Sequence, residues 1–170
     1  MRRAGLWIEL YSIGDRVRVL SWASMACIDA ACAGRAGEGL HFQNVVRGRD
    51  GAILSVEICL RVPRLEARSR VSPNYAVGFD DLIAFFRQLA AGWRGWDGER
   101  TYESIDHDLR LTATHDGYVR LAVQLWHEGG RFGWSAAAVI SPEPGEETTQ
   151  VAEDVAALLR GGGRAGDLRR

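Results

Sequence analysis

Strict alternation of apolar and polar side chains marks two stretches of the chain as half-buried strands that meet at a tight turn. Leu109, Leu111 and Ala113 alternate with Arg110, Thr112 and Thr114, and Val119, Leu121, Val123 and Leu125 alternate with Arg120, Ala122 and Gln124. Between them stands Asp116-Gly117, a pair that accepts the positive φ of a hairpin. A second such pair, Asp50-Gly51, separates LHFQNVVRGR from AILSVEICLRV and predicts a second hairpin. Further strands are expected at Trp7–Ile13, Val17–Ala23, Thr101–Ile105 and Arg131–Ile140, the first two joined around Gly14-Asp15.

The period changes to that of a helix twice. Phe79, Leu82, Ile83, Phe86 and Leu89 form one apolar stripe, with Asp80 and Asp81 placed to favour the helix dipole and Gly92 as a C-terminal stop. Thr148, Val151, Ala152, Val155, Leu158 and Leu159 form the second, with Pro144 at its first helical position and Gly161-Gly162-Gly163 ending it. Pro63–Tyr75, with Arg64, Arg68 and Arg70 against Glu66, shows no period and is expected to be a mobile surface loop. Residues 1–160 are thus read as a single α+β domain, an antiparallel β-sheet covered on one face by two helices. The order of elements allows two ββββα halves. Residues 161–170, rich in Arg and Gly, are expected to be a disordered tail.

Composition narrows the function classes. A formal net charge of -1 gives no overall field to draw in nucleic acid or an anionic membrane. All 21 basic residues are arginine, which points to coding bias in a GC-rich source. Glu9 interrupts the apolar run after Met1-Arg2-Arg3, so no signal peptide is expected, and no uncharged apolar run reaches the length of a membrane span. Three cysteines leave an odd thiol under any pairing, which fits a reducing, cytoplasmic setting.

Candidate chemistry is sparse. Cys27-x4-Cys32 with His41 and Cys59 offers zinc-ligand types, but without the compact spacing of tetrahedral sites, and the cysteines are read instead as small core filler. His115-Asp116 falls on a hairpin turn, where neighbouring side chains diverge, and Asp106-His107-Asp108 reads as a polar connection. No Gly-rich phosphate loop joins a strand to a helix, because RGGGRAG follows the last helix, and no G-x-S-x-G is present. No cofactor or metal is therefore expected. Arginines interleaved with Trp93 and Trp96 suggest a base-stacking platform, but Asp97 and Glu99 in the same stretch argue against nucleic acid.

The stretch from Phe79 to Trp126 resembles a family of small actinobacterial proteins of unknown function. The resemblance covers roughly half the chain. It rests on a helix ending in Leu89 and Trp93, then GWDGER, then a strand leading to Leu109, Leu111, Ala113, His115, Asp116, Gly117, Val119 and Leu121. Size and architecture are also similar to those of immunity proteins of bacterial toxin systems. In GWRGWDGER, Gly92 is expected to end the helix, Trp93 to fold back onto the helix–sheet junction, and Gly95 and Gly98 to turn the chain. Arg94, Asp97, Glu99 and Arg100 would then pair around an exposed Trp96. The residues expected to meet a protein partner are Arg94, Trp96, Asp97, Glu99 and Arg100, with Arg64 and Arg68 of the loop. Two functions follow: a non-catalytic protein-binding domain, immunity-like in build, or a hydrolase-type enzyme whose carboxylates Asp97, Glu99 and Glu103 converge near His107.

Overall fold

The computed structural model describes residues 31–33, 38–127, 133–143 and 145–160. Its elements run β1 (Ala31–Ala33), β2 (Gly39–Arg47), β3 (Ile53–Val62), β4 (Leu65–Val71), α1 (Asp80–Ala91), β5 (Arg100–Glu103), β6 (Leu109–His115), β7 (Val119–Trp126), β8 (Ser135–Ile140) and α2 (Glu146–Arg160). The antiparallel α+β class is as expected, with the strands divided between two four-stranded sheets, β1-β2-β3-β4 and β5-β6-β7-β8. Each sheet is a meander followed by a helix.

Both Asp-Gly hairpins form. His115 registers with Val119 across Asp116-Gly117-Tyr118, and Gly117 supplies the positive φ of 95° that a side chain at this position would resist. The alternation then decides burial: Leu109, Leu111, Ala113, Leu121, Val123 and Leu125 are all fully buried on one face.

A single core joins both sheets and both helices. In α1 the predicted stripe is buried and Phe85 joins it, because the helix bridges the sheets. Phe86 meets Phe42 of β2 edge-on at 5.6 Å, and Phe85 lies 6.3 Å from Tyr102 of β5. Such aromatic contacts add to the area buried. The helices pack on each other, α1 also against β5 and α2 against β1 and β2. The Ser69 hydroxyl of β4 donates to the Trp126 carbonyl of β7 at 2.8 Å, fastening the two sheets. Burial pushes the Tyr102 hydroxyl pKa up, with a further push from Asp81.

The largest departure from expectation is in residues 63–75. Instead of a mobile loop, this stretch holds β4, paired with β3 from Val56↔Val71 to Val62↔Leu65. Ala67, Ser69 and Val71 point inward, while Glu66 and Arg70 are exposed. Period two is present, but Ala67 and Ser69 are too weakly apolar to announce it. Pro63-Arg64 makes the turn, with Arg64 at φ 70°. The expected strands Trp7–Ile13 and Val17–Ala23, the Pro144 helix start, the triple-glycine stop and the tail all lie outside the described residues. The ββββα order does occur twice, but β1 and β4 fill places assigned to those N-terminal strands.

Candidate functional site

The GWRGWDGER corner is built around Trp96. The helix ends at Ala91, and Gly95, at φ 124°, turns the chain back on itself while its N–H donates to the Gly92 carbonyl at 2.8 Å. This reversal lays the Trp96 ring beside Gly92, where a Cβ would stand 2.9 Å from Trp96 Cε3 and 2.7 Å from Arg100 Nη1. Gly92 itself has φ -90°, so the helix stop needs glycine for close approach and not for left-handed backbone. The roles expected of the two tryptophans are exchanged. Trp96 packs against the core, and Trp93 is 47% exposed with Arg94 over its ring at 4.7 Å. Trp93 would extend the stripe of α1 only if the helix continued, and it does not.

Arg100 stacks over Trp96 at 4.2 Å and donates from Nη1 to the Gln88 carbonyl, so it closes the corner instead of belonging to an open charged rim. On the other side Trp96 meets His115 at 5.1 Å between ring centroids. The register Arg100↔Ala113 explains this, since it places Arg100 and His115 diagonally on the same face. His115 Nδ1 accepts the Gly117 N–H at 3.3 Å. Trp96 Nε1 and His115 Nε2 are buried without a hydrogen-bond partner among the described residues. GWDGER and HDG therefore meet in space. Asp97 and Glu99 are exposed and form no ion pair among the described residues, so the expected mutual pairing of the four charges is absent.

Of the four groups in the enzymatic reading, two come together. Glu103 Oε1 lies 2.5 Å from His107 Nδ1, but its Oε2 accepts from Arg110 at 2.7 and 3.1 Å. Arg110 foremost, then His107, holds the Glu103 carboxyl below the usual carboxylate range. A proton donor near neutral pH needs the opposite shift. The Ser104 hydroxyl accepts from Asp108 and Leu109 N–H at 3.0 Å each and fixes the turn on which His107 sits.

Arg64 and Arg68 separate. Arg64 is exposed at its turn, whereas Arg68 is engaged by Glu66 at 2.5 Å and lies 4.0 Å from Glu57. Glu66 also holds Arg61 at 3.0 Å. Cys59 is fully buried, as expected of a filler, but on the sheet face opposite Val56, Ile58 and Leu60. There it registers between His41 and Arg68. Burial pushes the Cys59 thiol pKa up, and burial with Arg61 and Arg68 pushes that of His41 down. These arginines make the neighbourhood unfavourable to a metal cation. No metal-ligating cluster of three occurs among the described residues, and Cys27 lies outside them.

A second surface escaped the sequence reading. A cleft of about 680 Å³ opens between the β2–β3 hairpin, residues 72–80 and the end of α2. Leu54, Tyr75 and Val77 line it at 55%, 88% and 47% exposure. Asn74 and Gly78 exchange backbone hydrogen bonds of 2.8 Å, and the Asn74 side chain accepts the Ala76 N–H at 2.9 Å, so the loop carrying Tyr75 is held closed. Asp80 lies 3.7 Å from Arg160 on the rim, and Arg47 reaches the Leu158 carbonyl at 3.0 Å. The only sequence signal was a tyrosine in a Pro-Asn turn, which on its own marks nothing.

The chain belongs to a family of unknown function, DUF6228, whose model matches residues 31–162, from β1 through the end of α2. Comparison with curated proteins and with solved structures found no match.

Proposed function

We propose that this chain is a small non-catalytic protein-binding domain whose partner docks in the cleft lined by Leu54, Tyr75 and Val77. The observation that carries the reading is Tyr75, a large amphipathic side chain 88% exposed on a loop closed by its own hydrogen bonds. Tyrosine on a pre-ordered loop contributes contact area at low entropic cost, and clustered exposed apolar side chains are uncommon on surfaces that meet only water. The Asp80–Arg160 pair and Arg47 give the rim both signs of charge, suited to a partner segment with an apolar centre and polar flanks. Trp93 and Arg94 of the corner, with Arg64, remain available as outer contacts.

An immunity-type role, with a toxin-like protein as the partner, is one form of this reading and is supported by size and architecture alone. A cytoplasmic setting is part of the reading, supported by the buried free thiol of Cys59. No described helix is long and apolar enough to cross a membrane.

The test is site-specific photocrosslinking in the native host. A photoreactive phenylalanine analogue at Tyr75 and, separately, at Leu54 is expected to capture the same protein. The same group at Tyr118, 68% exposed at the β6–β7 turn, is expected to capture none. Capture at Tyr118 equal to that at Tyr75, or no adduct at either cleft position, would overturn the proposal.

A further inference from the structure

Every open sheet presents two edges, each a row of unpaired N–H and C=O groups able to accept another strand, and soluble proteins blunt such edges with short strands or charges. Among the described residues, three of the four edge strands are protected in this way. β1 has three residues. β5 has four and carries Arg100 and Glu103. β4 alternates Glu66, Arg68 and Arg70 along its length. β8 is different: its six residues, Ser135-Ala136-Ala137-Ala138-Val139-Ile140, include no charge and no proline, and among the described strands it pairs only with β7.

We infer that β8 is a self-association edge, joining two copies of this chain by antiparallel β8–β8 pairing about a two-fold axis. Face matching restricts the register, and centring on the middle of the strand gives the longest ladder. Ala136, Ala138 and Ile140 lie on the inner face, and Ser135, Ala137 and Val139 on the exposed one. Directly opposed residues of antiparallel strands point to the same side, so the axis must pass through a residue and not between two. Centring on Ala137 sets it against its own copy, Ala136 against Ala138 and Ser135 against Val139. It also continues the ladder to Trp134, opposite Ile140.

Among the described residues the large apolar side chains exposed at this edge are Val139 at 62% and Trp134 at 39%, and this register sets Val139 against Ser135 and Trp134 against Ile140. Trp134 is already held in place, since its carbonyl accepts the His127 N–H at 3.0 Å and its ring stacks on that of His127 at 6.1 Å. Aromatic against β-branched is a favourable cross-strand pair. The strand bears no charge with which to select a foreign partner, and isologous pairing closes after two copies, so the edge is consumed instead of propagating. Alanine at the central positions lets the backbones approach without steric conflict.

The experiment is sedimentation equilibrium on the full chain with charges placed on the axis. Wild type is expected to show a concentration-dependent monomer–dimer equilibrium. Ala137→Lys and Ala137→Glu each set like charges directly opposite one another and should lose the dimer while keeping the circular dichroism of the wild type, Ala137 being exposed. Mixing the two variants should restore the dimer as a hetero-pair. Trp134→Ala should weaken association without the added charge. A wild type that stays monomeric at every concentration, or a dimer indifferent to both charges, or variants that remain monomeric when mixed, would each overturn the inference. Tyr75→Ala should leave the dimer intact, which keeps this edge distinct from the docking cleft.

Discussion

The guanidinium of Arg100 lies 4.2 Å above the Trp96 ring and at the same time donates to the Gln88 carbonyl at the end of α1. One cation thus ties the C-terminus of the helix, where a positive charge is favoured, to the aromatic residue that closes the corner.

Trp96→Ala should destabilise the fold by about 2 to 3 kcal/mol, the cost of emptying a half-buried aromatic site. Trp93→Ala should stay within about 0.5 kcal/mol of wild type, as expected for an exposed side chain. Chemical denaturation of the two single variants measures both. Equal losses would show that Trp93 is as much a part of the core as Trp96.

Gly92→Ala should destabilise by roughly 1 to 3 kcal/mol, because the new methyl meets Trp96 and Arg100 at less than contact distance. Much of that penalty should vanish in an Arg100→Ala background. A double-mutant cycle reads the coupling directly, and strict additivity would rule out the close approach as the reason for glycine.

The two turns should respond in opposite directions. Arg64 holds φ 70° without being glycine, so Arg64→Gly should be neutral or stabilising by up to about 1 kcal/mol. Gly117, at φ 95°, should tolerate valine poorly, with a loss of about 1 to 3 kcal/mol from backbone strain. Thermal melts of both variants test the pair.

Glu103 gives a pH dependence of known sign. Its folded pKa lies below the ordinary value because of Arg110 first and His107 second. A depressed carboxyl stabilises the fold above its unfolded pKa and loses that contribution as pH falls through the folded one. The stability difference between wild type and Glu103→Gln should therefore be present at neutral pH and fade in acid, below the usual carboxylate range. In Arg110→Ala, the Glu103 carboxyl should titrate closer to its ordinary value, as followed by carbon NMR. An unchanged titration would remove Arg110 as the cause.

What the sequence determined by itself was whatever a local period or a turn pair encodes. The Asp116-Gly117 hairpin, the buried faces of β6 and β7 and the stripe of α1 all follow from residues a few positions apart. β4 was hidden because its inward positions include Ala67 and Ser69, whose burial comes from the β3 register and from the Ser69–Trp126 bond, both long-range. Which tryptophan enters the corner was likewise a tertiary decision. Both rings are equally apolar, and only the chain reversal at Gly95 and the register of Arg100 with Ala113 carry Trp96 inward to meet His115. The cleft around Tyr75 and the exposed edge of β8 depend on the same kind of information. A side chain is an anchor or a core residue according to what packs beside it, and that neighbour is set by the fold.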